Sequence, residues 1–222
     1  MLYFHAIKPN LNNMENFMNS KVIGAMLILG PLLTVIPWFI GSDTSGMTPS
    51  EQITAILAES GTVEARSILN VFGGIFMFAG LYYLARTLKS ENNLSNHFAE
   101  IGGLLLLVTL PIWVVLMGTD ISAIDAAKDH GNEVGATIIA SSIGLQTIGI
   151  LLVVGLFSLG ISLTLLRKYK GIIGILFIIV SVAAFIDMAV APDSEAIGMI
   201  GWMGMFLMTL VTGILTTLQK EN

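Results

Sequence analysis

VGATIIASSIGLQTIGILLVVGLFSLGISLTLLRKYK, residues 134–170, runs from Val134 to Leu166 without a charge and then meets Arg167, Lys168 and Lys170. Lipid cannot hydrogen-bond an exposed backbone, so a chain crosses about 30 Å of hydrocarbon as helix, in about 20 apolar residues. Val134–Leu166 exceeds that need. Its first turns are expected to project above the membrane or the helix to tilt steeply. The cations at its end belong in a headgroup layer.

Working outward, five more segments meet the same requirement: 22–41, 67–85, 101–119, 172–191 and 196–218. With 134–166 they predict an all-α, polytopic transmembrane bundle of six spans in a single domain. Pro31, Pro37 and Pro111 mark kink sites within it, and Pro192 a stop. Trp38, Tyr82, Tyr83 and Tyr169 fall near span ends, where amphipathic rings favour the headgroup layer. Trp113 and Trp202 fall deeper and are expected to pack between helices.

Charge sorts by connection. Lys8, Lys21, Arg86, Lys89, Arg167, Lys168, Lys170 and Lys220 occupy alternate gaps, while the other gaps hold only Arg66 and Lys128. This alternation is the positive-inside pattern, with both termini cytoplasmic in a cell membrane. Ten of the 15 acidic residues, among them Asp43, Glu51, Glu59, Asp120 and Glu195, fall in the cation-poor gaps. An acidic outer face and a basic inner face argue against nucleic acid as a partner. Anionic lipid, in contrast, is attracted by about 1 kcal/mol per cation near the surface.

Composition fits: 55% of residues are hydrophobic and 11% charged, too few charges for a water-facing surface. The absence of cysteine excludes disulfides and thiolate chemistry. Residues 37–41 (PWFIG) lack a small-x-small cleavage pattern, so the first span reads as retained. Met1 and Met14 are alternative starts.

The first long outer connection contains Thr48-Pro49-Ser50-Glu51, a capping box with proline at the first helical position. It predicts a short external amphipathic helix bearing Ile53, Ile56 and Leu57 on one side and closed by Gly61. The stretch Thr48–Lys89, TPSEQITAILAESG followed by EARSILNVFGGIFMFAGLYYLARTLK, resembles a family of uncharacterised prokaryotic six-helix membrane proteins. The resemblance implies a six-helix bundle and carries no catalytic motif.

Asp187 is a carboxylate inside a span, about 7 Å below its outer boundary at 1.5 Å per residue. Such a group faces protein or water, pairs, or takes up a proton. Arg66, Asn70, Asp120 and Gln146 belong to the same outer third and are candidates to line a polar cavity with it. The alternative is a structural Asp187–Arg66 pair. Asp125, Asp129, His130 and Glu133 have helical spacing and a ligand set suited to a hard divalent cation, against the plainer reading of a solvated acidic loop. Met188, Met199, Met203, Met205 and Met208 are thioethers suited to copper(I), or packing filler. Gly198, Gly201 and Gly204 form a small-residue track for helix packing, within the chain or in a homo-oligomer.

No span carries a histidine or a lysine, and no Gly-x-Ser-x-Gly, His-Glu-x-x-His or phosphate-binding glycine loop is present. No cofactor and no catalysis are expected. The sequence therefore favours a non-catalytic membrane protein, free-standing or an accessory subunit of a larger membrane complex, over a small transporter working through Asp187.

Overall fold

Asn19 accepts a hydrogen bond from the Lys21 amide through its side chain (2.7 Å) and so opens the first helix, α1 (Ser20–Val35). Pro37, which has no N–H to donate, turns its end into a 3₁₀ turn at Ile36–Phe39. The computed structural model describes residues 19–41, 44, 46–147, 149–190 and 194–219, with the side chains of Ile143 and Gln146 outside that description. The alternative starts and Pro192 also lie outside it. The described residues then form α2 (Pro49–Ala58), α3 (Ser60–Arg86), α4 (Asn93–His130), α5 (Asn132–Gln146), α6 (Gly149–Leu165), α7 (Ile172–Ala189) and α8 (Glu195–Thr217), with no strand among them.

Each of α1, α3, α4, α6, α7 and α8 packs on the next in that order, and α8 closes on α1. Contacts run in opposite senses along the seams, with Gly73 against Thr34 and Gly80 against Leu27, Ser95 against Ser162 and Gly102 against Gly155, so successive members are antiparallel and the six form a closed ring. The basic connections gather at one end. There Lys168 donates to the Thr87 hydroxyl (3.2 Å), Tyr169 and Thr216 share a hydrogen bond (2.6 Å), and Ser95 meets Ser162 (3.0 Å). Leu27, Phe78, Leu81, Leu106, Leu156, Leu159 and Phe177, none more than 1% exposed, form the core inside the ring.

Glycines set the spacing of the seams. A side chain on Gly201 would strike the backbone of Ala184, and one on Gly160 the carbonyl of Gly174. Small residues let backbones approach where no hydrophobic drive separates helix from lipid. Outside the seams the ring is apolar, with Leu104 (60%), Val115 (59%) and Ile172 (57%) among its exposed side chains. Among the described residues, five helical segments are long and apolar enough to cross a membrane: Ser20–Phe39, Ser60–Arg86, Asn93–His130, Lys168–Ala189 and Glu195–Thr217. The sixth member of the ring, α6, has 17 residues.

Three elements differ from expectation. The run 134–166 is not one helix. It breaks after Gln146 into α5 and α6. Ahead of the break, Ser141 and Ser142 donate to carbonyls three residues back (2.7 and 2.8 Å), competing with the helical ladder. The acidic connection 120–130 is not a loop but the continuation of α4, which at 38 residues is about 57 Å long. Ala123, Ile124 and Ala127 give that extension an apolar side, and Gly131, at φ +97°, ends it. Gly61 closes nothing. The α2–α3 corner falls at Glu59, and Gly61 lies in the first turn of α3.

These differences share one cause. Ile53 and Ile56 of α2, Val63 of α3, Ala123, Ile124 and Ala127 of α4, and Ala136 and Ile139 of α5 form a second core at the acidic end. The capping box of α2 anchors it. The Thr48 amide and hydroxyl each donate to Glu51 Oε2 (2.8 Å), and the Glu51 amide donates to the Thr48 hydroxyl (3.4 Å). These donors hold the Glu51 carboxyl below its ordinary pKa. A depressed folded-state pKa gives stabilisation that is present above the unfolded carboxylate range and is lost as pH falls through the folded value. Amide protection across residues 52–58, corrected for intrinsic exchange, is therefore expected to fall on acidification below about pH 4. In Glu51→Gln it should be lower at neutral pH and flat through that range.

The α6–α7 link is strained. Arg167, Tyr169 and Lys170 have φ of 51°, 53° and 60°, followed by Gly171 at 78°. Left-handed backbone costs about 1–2 kcal/mol for each non-glycine residue. The Tyr169–Thr216 and Lys168–Thr87 hydrogen bonds hold the turn in place.

Candidate functional site

Asp187 lies near the end of α7, half-buried, and its Oδ2 accepts a hydrogen bond from the Trp202 indole N–H of α8 (2.9 Å). Gly198 sits directly above it, where a Cβ would come 2.8 Å from Oδ1. An indole donor and a glycine roof give the carboxylate a place inside the α7–α8 seam. Arg66 is on α3, across the ring, and its charge acts on Asp120 of α4. The two residues expected to pair thus stand on different walls.

Asn70 is 3% exposed and turns back along its own helix, where Nδ2 donates to the Arg66 carbonyl (3.1 Å). Its Oδ1 is buried without a protein partner. The Asn70 backbone carbonyl accepts from the Trp113 indole (3.0 Å), which joins α3 to α4. Gln146 lies outside the described side chains. Of the five residues, Arg66, Asn70 and Asp120 therefore share the α3–α4 side, and Asp187 is separate from them.

The space on the ring axis is apolar. A void of about 10 Å³, at the lower limit for a single water molecule, is walled by Met77, Leu81, Leu152, Leu156, Met205 and Phe206. Thr209 also lines it, with its hydroxyl donated to the Met205 carbonyl (2.8 Å). Trp202 closes one side of the void and so stands between it and Asp187.

The other candidates disperse. Asp125, Asp129, His130 and Glu133 are all exposed, the first three on the α4 extension and Glu133 beyond the Gly131 turn on α5. Among the described residues no three acidic or histidine side chains converge on a point where a metal ion would sit. Nearby, Lys128 Nζ lies 3.6 Å from Glu64 Oε1, an exposed pair of a kind worth under about 1 kcal/mol. Met205 is in the main core, Met188 and Met208 pack against it, and Met203 is half-buried. Met199 is 69% exposed, so the five thioethers share no single face. Gly198, Gly201 and Gly204 abut Asp187, Ala184 and Val180 of α7. That track packs against α7 within the chain.

A feature at the opposite end escaped the sequence reading. A pocket of about 560 Å³ opens between the basic end of α3 and the start of α4. Tyr82, Ala85, Arg86 and Lys89 line one side; Asn96, Ala99, Glu100 and Gly103 line the other. Tyr82, Ala85 and Arg86 step by i, i+3 and i+4 along α3, with Lys89 in the loop just past its end, and the α4 set steps by i, i+3, i+4 and i+7, the spacing of one helix face. That paired periodicity was visible in the sequence, but only the seam between these helices shows that the two faces oppose. Ser90 and Asn96 clamp the connecting loop, with Ser90 N–H donating to Asn96 Oδ1 (3.0 Å) and Asn96 Nδ2 to Ser90 O (2.7 Å). Arg86 Nη1 donates to the Tyr82 hydroxyl (3.2 Å).

No family model matches the chain, and neither a curated protein nor a solved structure matches it.

Proposed function

We propose that the chain is a six-span integral protein of a cell membrane, with its termini on the cytoplasmic side and α2 outside, acting without catalysis as an accessory or structural subunit. The observation that carries this reading is the apolar, filled axis of the ring. A path for ions or small polar solutes needs water or fixed polar groups at mid-depth, since unpaired polar groups in an apolar medium cost several kcal/mol each. Here Leu, Met and Phe occupy that level. As a span, α6 covers about 26 Å at 1.5 Å per residue, close to the hydrocarbon thickness. The start of α1 and the end of α8 meet at the basic end, because a Cβ on Gly24 would strike Thr217. Positive charge at that end supports the cytoplasmic assignment. Kinship with the uncharacterised six-helix family belongs to the same proposal.

Reconstitution tests it. Liposomes bearing the parent protein should leak protons, sodium and potassium no faster than protein-free vesicles, and Asp187→Asn should match the parent. Purification from native membranes in mild detergent should retain a second membrane protein in fixed proportion. Solute flux that disappears in Asp187→Asn would replace this reading with transport through the Asp187 region.

A further inference from the structure

We infer that the pocket between α3 and α4 at the basic end binds a phospholipid whose headgroup joins a phosphodiester to a primary ammonium. The inference rests on the proposal that this end lies in a membrane interface. Three features of the pocket lead to it, and the first is charge order. Arg86 and Lys89 stand on the α3 side and Glu100 on the α4 side of one opening of about 560 Å³. A wholly anionic ligand would meet the Glu100 carboxylate, and a wholly cationic one would meet the two bases. A zwitterion satisfies both walls, with its phosphate on the guanidinium and ammonium and its own ammonium on the carboxylate. Guanidinium is suited to this work because its planar fork matches phosphate oxygens in pairs.

The second feature is the continuation of the same helix faces toward mid-depth. Stepping back along α3 from Arg86 and Tyr82 leads to Ala79 and Ile75, and stepping forward along α4 from Glu100 leads to Leu104 and Leu107. Ile75, Leu104 and Leu107 are 36%, 60% and 37% exposed. The pocket is therefore polar at the interface and apolar above, the order of a headgroup and its acyl chains.

The third is that the pocket is braced before any ligand arrives. Leu88, 1% exposed, pins the loop into the core, the Ser90–Asn96 pair closes it, and Lys168 ties Thr87 to the α6–α7 turn. The Tyr82 hydroxyl orients Arg86 along one wall. A site built in advance loses less to ordering on binding.

Native mass spectrometry of the full chain in detergent, titrated with single lipids, tests this. Phosphatidylethanolamine should bind about ten-fold more tightly than phosphatidylcholine, whose ammonium carries no proton to donate, and more tightly than phosphatidylglycerol, which has none. Glu100→Gln, an exposed and near-isosteric change, should erase the preference over both. Arg86→Ala and Lys89→Ala should weaken all three lipids by on the order of five-fold each. Circular dichroism and elution volume identify folded variants, and Glu100→Gln decides the matter should the others not fold. Equal binding of the ethanolamine and choline lipids by the parent would overturn the site, leaving ordinary annular lipid. Tighter binding of the glycerol lipid, or displacement of the ethanolamine lipid by millimolar inorganic phosphate, would also overturn it. A chain that stays dispersed without amphiphile would instead refute the membrane reading itself.

Discussion

Gly213→Leu is expected to abolish the folded, monodisperse protein or to lower its unfolding temperature in detergent by about 10 °C. A Cβ at Gly213 would lie 2.8 Å from the Gly24 carbonyl oxygen, 2.8 Å from the Leu27 carbonyl carbon and 2.9 Å from the Ile28 nitrogen. All three atoms are backbone of α1, so no rotamer change relieves the contact. The seam between α8 and α1 must widen, and this is the seam that closes the ring. Overpacking typically costs 1–3 kcal/mol where side chains can shift. Rigid backbone puts this case at or above about 3 kcal/mol, which corresponds to roughly 6–12 °C for a chain of this size. Gly118→Ala is the control. No atom lies within 4 Å of a Cβ there, and within α4 alanine should stabilise by about 0.5–1 kcal/mol. Size-exclusion chromatography and thermal unfolding of the two variants read the contrast. A Gly213→Leu protein that melts with the parent would mean that α8 and α1 are not in backbone contact.

The same glycines show what the sequence could and could not convey. Hydropathy located the apolar segments because lipid imposes a length and a composition on each one separately. The bounds of α7 and α8 lie within two residues of those expected. Hydropathy is silent on pairing, since a lipid-facing leucine and a core leucine look alike. The ring closure and the intramolecular use of Gly198, Gly201 and Gly204 therefore had to come from coordinates. The second core had a faint signal. Ile53 and Ile56 announce an amphipathic helix, but the surface it covers is Ala123, Ile124 and Ala127, set within a stretch that reads as acidic connection. Charge misled in a related way. Asp187 and Arg66 share a level in the sequence, yet level says nothing about azimuth, and the ring sets them on different walls. The indole partner of Asp187 lies 15 residues away on the next helix, a neighbour that no local spacing rule identifies.

Trp113→Ala is expected to produce the largest loss of any single truncation on the α3–α4 seam, about 3–5 kcal/mol in thermal unfolding. The indole performs three tasks at once. Its ring fills the notch left by Gly74, where an added Cβ would strike it. Its edge meets Phe78 at 5.8 Å between centroids and 65°, a T-shaped pair worth about 0.5–1.5 kcal/mol beyond area. Its N–H donates to the Asn70 backbone carbonyl. Trp113→Phe keeps part of the ring contact and loses the donor, so about 1–2 kcal/mol should separate it from the parent. Asn70→Ala discriminates between a packing role and a site role. The acceptor of the Trp113 bond is backbone and survives the change, while the side-chain Oδ1 it removes has no protein partner to lose. Its only donated bond runs to a carbonyl of its own helix. Asn70→Ala should therefore cost under about 1 kcal/mol, the ordinary net worth of one hydrogen bond. A ranking with Asn70→Ala as damaging as Trp113→Ala would restore Asn70 as part of a polar site and count against the proposal of a filled, non-conducting ring.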